Sequence, residues 1–294
     1  MKHTVRRPRP RRRHPQRAAL HRIALAAALS VLAGAPTAQA REAPPLWEAG
    51  VFVGAATQPA YPGADARTDR AALLPYFIYR GPLLRIDNDG AALRALRTPR
   101  FELNVGVAGS LGSSANQADA RAGMPDLGLL FEAGPRLVWN LADPPAGSTR
   151  APWRLELPLR AVLELNDGLH YRGLTFTPEL VHECRLGGGW NAWLRFGPVF
   201  GNEQLADLFY QVAPVHVTAT RPAFDASGGL IAWRAGASLS RNLGRDVSVF
   251  GFVRFESVAG ATNRDSPLVR RDAGVAGGVG LAWSFARSAR PAAD

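Results

Sequence analysis

The stretch that decides the fold is Trp153-Arg-Leu-Glu-Leu-Pro-Leu-Arg-Ala-Val-Leu-Glu-Leu-Asn166. Trp153, Leu155, Leu157, Leu159, Ala161, Leu163 and Leu165 share one parity; Arg154, Glu156, Arg160, Glu164 and Asn166 share the other. A period of two places the first set on one face of a strand and the second on the opposite face. The run is longer than an ordinary soluble strand of roughly 5–6 residues. It has the length of a tilted strand crossing a bilayer, about 9–11 residues, with oily side chains toward lipid and polar ones toward a lumen.

The same alternation recurs along the chain. Twelve strands are expected, at residues 47–57, 71–79, 83–89, 91–97, 101–111, 126–141, 152–166, 172–186, 189–200, 229–241, 246–258 and 273–285. The number is even. Longer loops fall mainly after odd-numbered strands and tight turns after even ones, with residues 142–151 longer than the pattern asks. That asymmetry is the habit of bacterial outer-membrane barrels. Trp47, Trp139, Trp153, Trp190, Trp233 and Trp283 sit near strand ends, where interfacial aromatic girdles lie. The expectation is a closed antiparallel transmembrane β-barrel over residues 41–285, monomeric or weakly oligomeric. A soluble sandwich or lipocalin-like barrel would instead turn the oily parity inward. The polar parity is rich in Gly, Ala and Ser and sparse in Lys, which suits a lumen better than a solvated surface. Pro135, Pro158, Pro178 and Pro198 interrupt ladders that a closed barrel must satisfy, so bulges are expected there.

The formal charge of +11 misleads. Residues 1–40 hold nine of the 35 basic residues and no acidic one; without them, 26 basic face 24 acidic, a net of +2. The high pI therefore argues for no nucleic-acid partner. The basic start is followed by the apolar run Ile23–Gly34 and by Ala38-Gln39-Ala40, the layout of a secretory signal cleaved after Ala40. The apolar run is too short for a membrane span of roughly 20 residues. Arg11-Arg12-Arg13 lacks the apolar pair a twin-arginine signal needs. Cys184 is the one cysteine, so there is neither a disulfide framework nor a cysteine metal cluster. Export without a membrane helix leaves the periplasm or, as the alternation prefers, the outer membrane of a Gram-negative envelope. The nine residues 286–294 after Phe285 read as a flexible tail.

The residues Tyr61-Pro62-Gly63, Pro75, Asp126-Leu127-Gly128 with Glu132 and Gly134, Phe209-Tyr210-Gln211-Val212, Gly228-Gly229, Ser266-Pro267-Leu268 and the terminal strand ending at Phe285 resemble, in this order, the MipA/OmpV family. The resemblance implies an outer-membrane barrel set in outer-membrane lipid. It further implies a non-catalytic scaffold that brings a lytic transglycosylase together with a murein synthase, and an assembly role for the terminal aromatic Phe285.

Catalytic chemistry finds little footing. After residue 40 the histidines are His170, His182 and His216, and no serine or carboxylate spacing marks one as a base. A lipid-acting hydrolase is the weakest alternative. Asp87-Asn88-Asp89-Gly90 lacks the downstream glutamate of a calcium loop and reads as a hairpin turn. Gly274–Gly280 lies in a strand with no helix after it, so it cradles no phosphate. No enzyme activity, metal or cofactor is expected. The informative polar set is Arg154, Glu156, Arg160, Glu164, Arg195, Arg234, Arg254 and Glu256, all on the inward parity. They form either a salt-bridged plug or the lining of a small-solute channel; the modest bore of twelve strands favours the plug.

Overall fold

The computed structural model describes residues 44–87, 90–110, 119–143, 151–165 and 167–292. The signal segment 1–40 and its cleavage site lie outside the described residues. The strands are β1 Trp47–Pro59, β2 Arg67–Arg80, β3 Leu84–Asp87, β4 Gly90–Arg97, β5 Phe101–Ser110, β6 Leu129–Asn140, β7 Trp153–Leu165, β8 Leu169–Phe176, β9 Glu179–Arg185, β10 Trp190–Gly201, β11 Gly229–Asn242, β12 Val247–Ser257 and β13 Ala273–Arg287. One helix, α1 Glu203–Tyr210, lies between β10 and β11.

The fold is all-β, and every pairing between strands is antiparallel. β8 and β9 are two halves of one stave: both pair with β7 on one side and β10 on the other. The break falls at Thr177-Pro178, so the strand expected over 172–186 is interrupted. Counted this way the staves number twelve. β13 pairs with β1, and β10 with β11, so the circuit of pairings returns to its start.

Burial decides which parity faces out. Arg154 and Glu164 are 1 % exposed, whereas Leu73 is 71 % and Val279 67 % exposed. On β7 the burial alternates along most of the strand, with Arg154, Glu156 and Glu164 buried and Arg160 half-buried. The oily parity looks away from the circuit and the polar parity into it, the reverse of a soluble sandwich. Trp47, Trp139, Trp153, Trp190 and Trp283 lie toward the end with the short turns. Trp233 lies toward the other end, stacked on Phe196 with centroids 5.6 Å apart.

Several boundaries differ from the sequence expectation. β2 starts at Arg67, so the first loop covers only residues 60–66. β6 starts at Leu129, because Gly128 N–H is held by the Glu164 carboxylate at 2.5 Å instead of by a ladder. The irregular region 201–228 contains α1, whose N-cap Asn202 accepts from Leu205 N–H and also from Leu174 N–H. The prolines do perturb the ladders. The β6–β7 pairing skips between Ala133 and Arg136, and beside Pro198 the register shifts at Val199/Phe200, with Ile231 the extra residue on β11. β13 runs past Phe285 to Arg287. Beyond it, Ser288 and Ala292 donate to the carbonyls of Trp47 and Pro44, and Leu46 donates to Arg290. The expected tail is thus in part strand, tied to the residues that lead into β1.

Candidate functional site: the charged lumen and its cap

Six strands, β6, β7, β9, β10, β11 and β12, turn charged side chains toward an ionic lattice inside the circuit. Glu156 on β7 is its centre. Its Oε1 accepts from Arg154 Nε at 2.8 Å, and its Oε2 lies 3.5 Å from both Arg136 and Arg195. Arg154 also reaches Glu183 at 3.1 Å, and Arg195 reaches Glu179 at 3.3 Å. Arg160 pairs with Glu132 at 3.2 Å, and Arg234 with Glu256. A cavity of about 190 Å³ lies among Arg136, Arg160, Arg195 and Arg234 and the facing Glu132, Glu156 and Glu179. That is below the roughly 300 Å³ of an ordinary ligand pocket, and it is walled by charge where such pockets are mostly apolar. Its chemistry suits water and small ions.

Of the eight charges expected in the lumen, Arg154, Glu156, Arg160, Arg195, Arg234 and Glu256 join this lattice. Glu164 stands apart toward the long-loop end, held by Gly128 N–H and by Arg172 at 2.6 Å. Arg254 faces inward, and its Nε is buried without a hydrogen-bond partner among the described residues. Glu132, Arg136, Glu179 and Glu183 complete the lattice and were absent from the expected set. Their signal was available: each shares the inward parity of its strand.

The opposite inner wall is aromatic. Phe52 on β1 and Phe250 on β12 stack at 5.3 Å. They lie over Gly54 and Gly280, where a Cβ would come within 2.4 Å of the Phe52 ring. Here glycine makes room for a neighbour's ring.

At the long-loop end, four loops pack into a cap, and the buried apolar side chains gather there. Ala60, Tyr61, Ala64, Leu127, Val212 and Leu268 form one cluster. Val199, Ala206, Tyr210, Ile231 and Val258 belong to a second. Tyr61 Oη donates to Leu268 O at 2.8 Å, Tyr210 Oη to Pro62 O at 3.2 Å, and Ser266 Oγ to Tyr210 O at 2.8 Å. Burial pushes the Tyr61 phenol up to about 12, and raises that of Tyr210 as well. Arg121 and Arg221 are buried among backbone carbonyls, of Leu208, Phe209 and Pro125 for one and of His216, Ala120 and Ala122 for the other. Burial lowers the Arg121 pKa. Tyr61-Pro62-Gly63, Leu127, Tyr210, Val212 and Ser266-Pro267-Leu268, scattered in sequence, are neighbours in this cap. Gly63, with φ of 86°, turns the first loop so that its carbonyl accepts from Arg270 and Arg271.

The histidines stay apart. His182 stacks on Trp153 at 4.1 Å on the outer face, and His216 lies in a short 3-10 turn of the cap. Among the described residues no group of His, Cys, Asp and Glu could hold a metal ion.

This geometry defines an antiparallel barrel with an apolar exterior, an ionic interior and a loop cap. The chain belongs to the family of MltA-interacting protein MipA, whose profile matches residues 51–285. No curated protein sequence matches it significantly. Similar solved structures include the translocator domain of the autotransporter NalP from Neisseria meningitidis, at 11% identity, covering 92% of this chain and 96% of that one with a TM-score of 0.41. An outer membrane channel from Pseudomonas putida F1 has 9% identity, coverage of 86% and 100%, and a TM-score of 0.35. The Pseudomonas putida toluene transporter TodX has 7% identity, coverage of 83% and 90%, and a TM-score of 0.29.

Proposed function

We propose that this protein is an outer-membrane β-barrel serving as a non-catalytic scaffold of the cell envelope, one that engages a lytic transglycosylase and, with it, murein synthesis. The observation that carries the barrel reading is inverted burial: charged side chains are covered and leucines are exposed along the same strands. In hydrocarbon every backbone polar group must be satisfied internally, and a closed circuit of strands meets most of that demand. The scaffold role rests on the family, which is described by its interaction with MltA. The ionic lattice and the packed cap support a body that holds its shape more than one that turns over a substrate.

A pull-down from envelope extract tests the role. Lytic transglycosylase activity is expected on the tagged barrel. Its absence from the wild-type pull-down ends the scaffold reading. The second reading, a narrow small-solute channel, draws on the charged cavity. Ion conductance in planar bilayers separates the two: the scaffold reading expects none resolvable above the bare bilayer.

A further inference from the structure

The charges of the lattice do not balance. Four guanidiniums, of Arg136, Arg160, Arg195 and Arg234, line the cavity together with three carboxylates, of Glu132, Glu156 and Glu179. Behind them, Arg154 pairs with Glu183, and Glu256 pairs with Arg234. Arg254 on β12 is the remaining inward cation. Six guanidiniums therefore face five carboxylates in the lattice, among the described residues. The inward pairs nearer the ends, Arg94 with Glu102, Arg80 with Glu48 and Arg172 with Glu164, each add one charge of either sign and leave the surplus as it is.

The surplus has a place. Arg254 lies between Gly236 on β11 and Ala276 on β13, and Arg195 lies on the other side of Gly236. Same-face neighbours on adjacent strands stand about 4.5–5.5 Å apart at Cβ. The two arginines thus flank an inward position that has no side chain. A Cβ at Gly236 would meet Val253 O alone, at an ordinary 3.6 Å, so the space above it is open. The charged neighbours of Arg254 are Arg234, Glu256 and Glu179, and its buried Nε finds no acceptor among the described residues.

An enclosed charge without a counter-charge is costly, and a bound counter-ion removes that cost. A guanidinium offers five N–H donors in a fixed fork that matches the oxygens of a phosphate or carboxylate. Arg160, Arg195 and Arg234 keep 20 %, 32 % and 29 % of their side-chain surface accessible, so they retain donor surface beyond their ion pairs. The cavity of about 190 Å³ far exceeds the roughly 10–15 Å³ that one water needs, which leaves room for a small oxyanion with some of its water.

We propose that the lumen binds one small oxyanion of the phosphate class between Arg195, Arg234 and Arg254, as the counter-ion that completes the lattice. The site requires a lumen lined by the polar parity and is independent of the scaffold role, which the pull-down reads separately. The probe is inorganic phosphate. The full barrel is refolded in a neutral sugar-headgroup detergent and dialysed to equilibrium against radiolabelled phosphate at low, constant ionic strength. A single saturable site is expected, emptied by sulfate far more readily than by chloride. Arg254→Gln removes the surplus charge, and Gly236→Asp supplies a carboxylate between the two arginines. Each is expected to weaken phosphate binding by about tenfold or more, while Arg254→Lys, which keeps the charge, retains most of it. Gly236→Asp is also expected to raise the urea midpoint measured without phosphate, since the carboxylate takes the anion's place. The heat-modifiable folded band on electrophoresis qualifies each variant, and Gly236→Asp decides alone should Arg254→Gln not fold. No saturable uptake by the wild-type barrel overturns the proposal. Uptake unchanged in Gly236→Asp and Arg254→Gln places the phosphate outside the lumen and overturns it too. Equal displacement by chloride and sulfate shows a counter-ion without oxyanion recognition, and overturns the ligand class.

Discussion

A single carboxylate, Glu156, organises the interior. It serves three guanidiniums, and its neighbour Arg154 is buried at 1 % exposure. Removing one partner of a buried ion pair strands the others, at a cost of about 3–5 kcal/mol. Glu156→Gln is therefore expected to lower the unfolding free energy of the detergent-refolded protein by about 3 kcal/mol in a urea titration. Arg160→Gln is expected to cost about 1 kcal/mol or less, because its pair with Glu132 borders the cavity and stays partly exposed. Equal losses at both sites would refute the lattice as drawn. In the cap, the folded state favours the neutral Tyr61 phenol, whose ordinary value is 10.0. Its contribution is complete below pH 10. Between about pH 10 and 12 the opened cap loses the proton first, so stability falls as pH rises through that window. Tyr61→Phe is expected to remove one proton from the upper part of the phenolate absorbance titration.

At the scale of elements, the break between β8 and β9 shows how sequence exceptions become geometry. Pro178 cannot continue the ladder, and Gly197 on the facing β10 lets the Pro178 carbonyl approach. A Cβ at Gly197 would sit 2.0 Å from that oxygen. Gly197→Ala is expected to destabilise the barrel by about 1–3 kcal/mol and to reduce the heat-modifiable folded band on electrophoresis. An unchanged band would mean that the break is free to widen. The strands themselves were legible in sequence because period-two alternation is local. Pro178 marked a disturbance but not that it would be a full break, and the start of β2 at Arg67 and the helix α1 were not legible. Each depends on a neighbour: on β10, on β1, and on the cap that the α1 residues Leu205, Ala206 and Tyr210 help to pack. Glu132 and Arg136 were legible as inward residues, but their pairing across β6 and β7 was not, since ion pairs follow register and register is set between strands.

For the whole molecule, the oily exterior predicts how the protein sits in cells. Cysteines placed at Leu157, Leu163 and Trp233, with Cys184→Ser, are expected to resist a membrane-impermeant thiol reagent in intact cells and to react once the protein is unfolded. Ready labelling in cells, or recovery from the periplasm without detergent, would end the membrane reading. Arg154 to Asn166 alone established that two faces of opposite character exist, because alternation is a property of the backbone pleat. It could not say which face is inside, since a sandwich and a membrane barrel share the same period. The tertiary structure decided that by pairing β13 with β1, which gives the sheet an inside, and by burying the charges there. It also brought Tyr61, Tyr210 and Leu268 together as a cap, which no local pattern encodes. Hydrogen bonds that span 207 and 148 residues of chain exist only once the circuit has closed.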